Sequence, residues 1–349
     1  MGPGLCFDHL TRLTTPLGLY EHALGDTPRT EHAYCVDDVA RALVVTARVP
    51  DPSAEVRALT AGYLDFVLSA LRPDGYFHNR RRLDGTWSDR PSSDDHWGRA
   101  LWALGTAAAS SDDPDVAARA RAGAGIALRS RSTWPRAMAY GALGAAQLLQ
   151  LAPDDVAPLR FLDDVRRVLR RPDSDVSWPW PEERLTYANA VLPEAMIVIG
   201  SALDDDVILD DGLLLLGWLV DQQQRDGHLS VVPSTGWSRA DRAPARGRRR
   251  AATRPGYAQQ PIEVAVLAEA CRTAHIATGN RRWATVIEQC NAWFVGANDG
   301  GVRMCNPVIG SGFDGLERHG ASVNQGAEST LAWLSTLQIA LMPQLAVAR

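Results

Sequence analysis

The chain has 349 residues, with 36 basic and 41 acidic side chains and a formal net charge of -5. The acidic balance argues against nucleic acid as a partner, and since the sequence contains no lysine, a lysine Schiff base is excluded. Charged residues interrupt the longest apolar runs, so we expect no membrane span and no membrane partner.

The N-terminal segment and the cysteines are the features of the sequence that bear on the cellular compartment of the protein. The first residues have neither a charged start nor an apolar signal core. The five cysteines are scattered without metal-binding spacing, which fits reduced thiols in a core. We therefore expect a cytoplasmic protein with no metal and no cofactor.

Polar clusters run directly into hydrophobic helical stretches at six places along the chain. Their Asp, Asn, Ser and Gln side chains can accept bonds from the free N–H groups of a first helical turn. Pro135 and Pro261 suit such a turn because proline lacks the N–H that would be left unpaired. The six helix starts predicted in this way are residues 35–38, 93–96, 132–135, 186–189, 258–261 and 323–326.

Segments between these starts have apolar residues at helical spacing. They predict second helices over residues 55–75, 159–171, 208–227 and 281–300. Short extended phrases follow the Asp-Gly pairs at 74–75, 226–227 and 299–300, and predict loops or brief strands over one mouth of the assembly. Six hairpins predict an all-α (α/α)6 toroid, with an inner ring of helices that begin at one face and an outer ring that returns the chain.

We expect residues 1–349 to form a single barrel domain, because no linker divides the chain. Residues 238–255 are rich in arginine and have no apolar period. This composition predicts a flexible insertion; a lid or a contact with an anionic ligand is the alternative.

Seven phrases of the sequence resemble a family of bacterial (α/α)6 domains found alone or fused to glycosyltransferase domains. They are RTEHAYCVDDVARAL (29–43), DGYFHN (74–79), DDHWGRALWALG (94–105), RLTYANAVLPEA (184–195), QQPIEVAVLAEAC (259–271), NDGG (298–301) and NQGAESTLAWL (324–334). The resemblance implies the toroid fold, a carbohydrate setting and a glycosyltransferase as a candidate partner. Ala258 departs from the family pattern, where an acidic residue often stands, and residues 238–255 are longer than usual.

The first residues of the inner helices should converge on one cavity, surrounded by positive helix ends. Carboxylates, amides, arginines and aromatic faces there suit a polyhydroxylated ring. The candidate catalytic acids are Asp37, Asp38, Asp95, Glu263 and Glu328. The candidate substrate-binding residues are Arg29, Glu31, His32, Tyr34, Arg41, Asn79, Asp94, His96, Arg99, Trp180, Glu183, Arg184, Tyr187, Asn189, Gln259, Gln260, Asn324 and Gln325.

The same residue types have structural interpretations. The paired aspartates can cap their helices, and Arg41 and Arg99 can form intrahelical ion pairs. His32 and His96 can be structural. Tryptophans within helical patterns belong to a core, whereas Trp178 and Trp180, in a loop phrase, are candidates for a sugar platform.

The function predicted by these residues is glycoside hydrolysis of an oligosaccharide or glycan by carboxylate acid–base catalysis, inverting by analogy of fold. Asp38, with Asp37, would be one member of the pair and Glu263 the other, with Asp95 and Glu328 in reserve. A sugar epimerase or isomerase that uses His32, His96 or His228 is a second hypothesis. A non-catalytic glycan-binding or scaffold module of a glycosyltransferase system is a third.

Overall fold

The structure is a computed structural model that describes residues 4–242 and 254–342. Within these residues the chain forms thirteen α-helices. In chain order, α1 to α13 are Asp8–Leu13, Val36–Ala47, Ala54–Ala70, Asp95–Ser110, Pro114–Ala127, Pro135–Leu151, Val156–Val168, Val191–Leu203, Asp206–Gln223, Arg239–Arg242, Pro261–Thr278, Arg281–Phe294 and Ala327–Ala340. None of the described helices combines the length and apolar character needed to cross a membrane.

Six of these helices form a closed inner ring. Each packs against the next in the order α2, α4, α6, α8, α11 and α13, and α13 packs back onto α2. Every inner helix begins within one of the six polar clusters or no more than two residues after it. The predicted (α/α)6 toroid is therefore confirmed, and all six inner helices begin at one face.

The outer ring returns the chain between successive inner helices. Helices α3, α5, α7, α9 and α12 pack on inner neighbours, and the short α1 packs against α13. The four predicted outer helices are present as α3, α7, α9 and α12. Helices α3, α9 and α12 end before the Asp-Gly pairs, and α7 ends a few residues before its predicted end. Helix α5 was not predicted, because its buried face is mostly alanine and glycine and gives a weak apolar pattern.

In the described part of the chain, seven two-stranded antiparallel ladders lie in the loops. Strands β1 to β14 are Thr14–Thr15, Gly18–Leu19, Ala23–Leu24, Thr27–Pro28, Tyr34–Cys35, Arg80–Arg81, Arg184–Leu185, Gln224–Arg225, His228–Leu229, Trp237–Ser238, Cys305–Asn306, Ser311–Gly312, Leu316–Glu317 and Gly320–Ala321. Most ladders join strands that are separated by a short loop. Two are exceptions: β5 pairs with β6 across α2 and α3, and β7 pairs with β10 across α8 and α9. The extended phrases after the second and third Asp-Gly pairs thus include β9 and β11, as predicted. After the first pair, Phe77 forms isolated bridges with Leu71 and Ser92, and β6 begins just beyond the predicted phrase.

Helices α4 and α6 approach each other along a line of glycines. A methyl group at Gly105 would lie 2.6 Å from the Cα of Gly144, and one at Gly144 would lie 2.6 Å from the carbonyl carbon of Leu101. A methyl group at Gly98 would lie 2.8 Å from the carbonyl carbon of Ala137. These positions are side-chain-free because the two backbones are in contact.

The arginine-rich range 238–255 is described at its two ends. Strand β10 pairs with β7, and Arg254 is buried, donating to the carbonyl of Gln222 at 2.8 Å. Residues 243–253 lie outside the described residues, so the predicted flexibility remains a prediction.

We expect a short Gly-Ser linker in place of residues 243–253 to leave the fold intact. The segment has no apolar period, so its removal should expose little core. Thermal unfolding followed by circular dichroism measures the effect, with Arg254 kept in the variant and an Arg254→Met variant as a destabilised reference. A loss of stability as large as that of the reference would show that the segment packs.

Candidate active site

Four carboxylates and two arginines form a continuous arc across α4, α2 and α13, at the face where the inner helices begin. Arg99 donates to Asp37 at 2.7 Å and lies 3.9 Å from Asp95. Arg41 donates to Asp38 at 2.7 Å and pairs with Glu328 at 2.9 Å. This acidic arc, in ring order Asp95, Asp37, Asp38 and Glu328, brings four of the five predicted catalytic acids together.

Members of the acidic arc differ in protonation. Burial raises the pKa of Asp38 to about 7, against the opposing effect of Arg41. Burial also raises the pKa of Asp95. Burial acts in the same direction on Asp37, but Arg99 and Arg41 outweigh it and hold its pKa below the ordinary value. The arc thus combines a carboxyl that is partly protonated near neutral pH with an ionised one, as acid–base chemistry requires.

Accessibility divides the arc into an inner and an outer layer. The Asp38 side chain is 5% exposed, whereas Asp37, Asp95 and Glu328 are 26%, 24% and 38% exposed. A ligand in the mouth would therefore meet the three outer carboxylates first and Asp38 at the base.

Behind Asp38 lies a set of potential metal ligands. One ligand atom each of Glu21, Cys35 and Asp38 lies within 4.8 Å of the others. Burial raises the pKa of the Cys35 thiol well above its usual range, and the thiol donates to Asp38 at 3.3 Å. Arg80 pairs with Glu21 and Arg41 with Asp38, so both carboxylates are neutralised by arginine. This donor set fits hydrogen bonding better than a metal ion, which would need a thiolate.

Glu263, the fifth predicted acid, lies at the start of α11 and links it to the start of α8. It accepts from the backbone N–H of Ala188 and from the Asn189 side chain, the latter at 3.1 Å. Burial raises the pKa of Glu263 to about 7 against these hydrogen bonds. Both carboxylate oxygens are therefore engaged within the protein.

Three alanines just before inner helices have left-handed backbones. Their φ angles are 54° at Ala33, 46° at Ala188 and 57° at Ala258. Such conformations are costly for a residue with a Cβ and are found most often at functional sites.

Several predicted binding residues are buried. Trp180 is 1% exposed and stacks on Trp218, so its ring has no free face for a sugar, and the same correction applies to Trp178. Its loop position suggested exposure, but the loop folds over the outer ring. Tyr34, His96, Asn189, Gln259 and Gln325 are also buried.

The contacts of these buried residues explain their positions. Tyr34 stacks on Tyr20, and Gln259 donates to Asp299 at 2.6 Å while accepting from the Trp293 indole at 3.1 Å. Gln325 accepts from the Ser311 hydroxyl. These side chains stabilise the mouth, and their contact with a substrate remains a prediction.

Other predicted binding residues are partly or largely accessible. Asp94 accepts from the exposed Trp134 indole at 2.9 Å, and Asn324 accepts from the Gly25 N–H at 3.1 Å. The remaining members of this group are Arg29, Glu31, His32, Asn79, Glu183, Arg184, Tyr187 and Gln260. Their contact with substrate remains a prediction.

Sequence reasoning missed Arg136. It donates to both oxygens of Glu182, at 3.0 and 2.9 Å, and its guanidinium lies 5.5 Å from the Tyr187 ring centroid. The available signal was its place directly after Pro135, in the first turn of an inner helix.

The three histidines considered for epimerisation do not form a facing pair. His96 is buried and its Nε2 contacts the Phe77 carbonyl at 3.0 Å. His228 lies 3.3 Å from Asp299, and His32 packs edge-on against His22.

No protein-family model and no curated protein sequence matches this chain. Solved structures that share its fold include a sugar epimerase from a ruminal bacterium, at 11% identity, TM-score 0.67 and coverage of 95% of this chain and 94% of the other. A cellobiose 2-epimerase from Spirochaeta thermophila shares 11% identity at a TM-score of 0.65, with coverage of 98% of this chain and 94% of the other. A GH76 α-mannanase from Bacteroides thetaiotaomicron shares 10% identity at a TM-score of 0.63, with coverage of 95% of this chain and 91% of the other. At these identities the similarity shows the fold alone: the chain is an (α/α)6 toroid.

Proposed function

We propose that this protein is a carbohydrate-active enzyme that cleaves a glycosidic bond, with Asp38 as the general acid and Glu328 as the general base. The observation that carries the proposal is the arginine bridge: Arg41 contacts Asp38 at 2.7 Å and Glu328 at 2.9 Å. One guanidinium therefore fixes the spacing of two carboxyls that differ in burial and in environment.

The reaction follows from these two groups. Protonated Asp38 donates its proton to the glycosidic oxygen as the bond from that oxygen to the anomeric carbon breaks. Glu328, the more exposed of the two, removes a proton from a water whose oxygen forms the new bond to the anomeric carbon. An inverting outcome, proposed by analogy of fold, needs roughly 6.5–9.5 Å between the two carboxyls, with the water between them.

Glu263 takes a different role in this proposal from the one that the sequence suggested. Its contacts with Ala188 and Asn189 make it a positioning residue for the α8 side of the mouth. Glu328 replaces it as the partner of Asp38 because Glu328 shares a guanidinium with Asp38 and faces solvent.

Sugar epimerisation is the second candidate, favoured by similarity to a sugar epimerase and a cellobiose 2-epimerase over 94% of each of those chains. The scattered histidines weigh against it. Incubation with a panel of glycans, followed by mass spectrometry and anomer-resolved NMR, separates the two. New reducing ends support hydrolysis, isomeric products of unchanged mass support epimerisation, and binding without turnover would support a glycan-binding module of a glycosyltransferase system.

The pH dependence of kcat/KM should show a decline above about pH 7, because Asp38 must be protonated to donate and burial raises its pKa to about 7. Initial rates from pH 5 to pH 9 measure this limb, with circular dichroism to verify folding at each pH. Glu263 has a similar pKa, so the decline should persist in Glu263→Gln. A rate that stays constant to pH 9 would exclude Asp38 as the acid.

A further inference from the structure

A cavity of about 400 Å³ opens at the end of the barrel opposite the acidic arc. Its rim includes Gln150, Ser201 and Ile276, which lie in the last turns of α6, α8 and α11. Since all inner helices begin at the face that carries the acidic arc, their last turns lie at the opposite face. The volume is within the roughly 300–1,000 Å³ range of small-molecule sites.

The floor of this cavity carries buried charged groups that the proposed reaction does not use. Glu194 is 3% exposed, lines the cavity and accepts from the Thr273 hydroxyl at 2.8 Å. Arg272 also lines the cavity, and its Nε is buried without a hydrogen-bond partner among the described residues. Burying such groups is costly unless they have partners, which makes this floor a site for a polar ligand.

Charged groups of both signs lie beneath the floor. Glu269 accepts from Arg48 at 2.6 Å and lies 3.3 Å from Arg272. Burial and the neighbouring Glu269 raise the pKa of Glu194 to about 8, so near pH 7 the two arginines stand against the Glu269 carboxylate and a largely neutral Glu194 carboxyl. An anion would meet these carboxyl groups and the negative ends of the inner helices, whereas a cation would meet Arg272. A neutral ligand avoids both penalties.

The walls specify the kind of neutral ligand. Gln147 and Gln150 each offer an amide donor and an acceptor, and Thr273 adds a hydroxyl. Trp102, Leu143 and Val198 add apolar surface. Alternating donors and acceptors beside apolar faces match the hydroxyls and C–H faces of a sugar or polyol. We propose that the far-end cavity is a second binding site, for a neutral sugar or polyol, separate from the acidic arc.

The two ends of the barrel are separate compartments. Between them lies a void of about 30 Å³, bordered by Arg41, Ile262 and Glu269. That volume holds about one water molecule and is too small for a sugar. A ligand of the far-end cavity must enter from the far face, and its binding does not depend on the reaction at the arc.

Two isoleucines of α11 allow the ends to be observed separately. Ile276 lies on the rim of the far-end cavity, whereas Ile262, next to Glu263, borders the central void. Titration of the isoleucine-methyl-labelled full chain with D-glucose, D-mannose and cellobiose should shift the Ile276 resonance saturably, with a Kd on the order of millimolar for at least one sugar. Ile276→Val and Ile262→Val assign the resonances.

Blocking variants test the location. Ser201→Phe fills the rim and should weaken the Ile276 response at least about tenfold, equivalent to about 1.4 kcal/mol. Ala277→Phe, on the opposite rim, replaces Ser201→Phe if that variant does not fold. Val207→Phe, on the exposed surface of α9, is the matched control. Asp38→Asn should leave the Ile276 response unchanged, which separates this site from the proposed reaction.

Three results would overturn the proposal. The first is an Ile276 resonance that no sugar shifts at concentrations on the order of 100 mM. The second is a shift that survives both rim variants. The third is a saturable shift with acetate or with ethylammonium but with none of the sugars, which would assign the cavity to a charged ligand.

Discussion

Replacing Asp38 by Asn should lower kcat/KM on a confirmed glycan substrate by roughly 10²–10⁴-fold, because the amide keeps the shape of the side chain but cannot donate the catalytic proton. The loss should appear in kcat more than in KM. Folding should change little, because burial already favours the neutral form of Asp38, and the Asn oxygen can still accept from Arg41. Steady-state kinetics with thermal unfolding of the same samples measures both effects.

A matched control and two further variants sharpen this result. Asp221→Asn removes another carboxylate paired with an arginine, at 2.7 Å from Arg282, but on the outer helix α9, and should leave turnover unchanged. Glu328→Gln should resemble Asp38→Asn. Near-normal turnover in Glu328→Gln together with a large loss in Glu263→Gln would restore the pair that the sequence suggested. Normal turnover in all three arc and α11 variants would contradict acid–base catalysis at this mouth.

Replacing Gly105 by Ala should lower the free energy of unfolding by about 3 kcal/mol or more, at the upper end for overpacked sites. The added methyl group would meet the backbone of Gly144 at 2.6 Å, and a helix backbone cannot rotate away as a side chain can. Helices α4 and α6 would have to separate, which would also displace Arg99 at the mouth. Urea denaturation of the variant measures the loss.

Gly125→Ala is the control for this substitution. Gly125 lies in the outer helix α5, and a methyl group there would have no neighbour within 4 Å. It should stabilise the protein by about 0.5–1 kcal/mol, because alanine loses less backbone entropy in a helix than glycine. Equal effects of the two substitutions would show that the contact between α4 and α6 adapts easily.

The fold was predictable because its repeating signal is local. Polar helix starts and apolar helical spacing follow from the backbone N–H groups of a first turn and from the burial of one face. Helix α5 escaped because alanine and glycine form its buried face, and such small side chains indicate close packing only once the neighbouring helix is known. The glycine line between α4 and α6 was hidden for the same reason.

The candidate site was predictable in its membership but not in its pairing. The spacing of the polar clusters predicted that Asp37, Asp38, Asp95 and Glu328 lie at helix starts of one ring. In the structure these four carboxylates pair with the guanidinium groups of Arg41 and Arg99. The choice of partner depends on side-chain directions, since adjacent residues of a helix diverge. Asp37 pairs with Arg99 of α4, whereas Asp38 pairs with Arg41 of its own helix, which also contacts Glu328 of α13. The burial of Trp180 depends on how a loop folds over the outer ring, for which local sequence carries little information.

Ring closure has a consequence for how this protein forms. Helix α13 completes the inner ring by packing on α2, and Gln338 donates to the carbonyl of Val45 at 3.2 Å across a sequence separation of 293 residues. Contacts so distant in sequence slow folding, because the entropy of a long loop is lost before they form. During synthesis, α2 is made before α13, so its apolar flank stays uncovered until α13 has left the ribosome. The proposed acid emerges at residue 38 and its base at residue 328, so catalytic competence arises only at the final step of assembly.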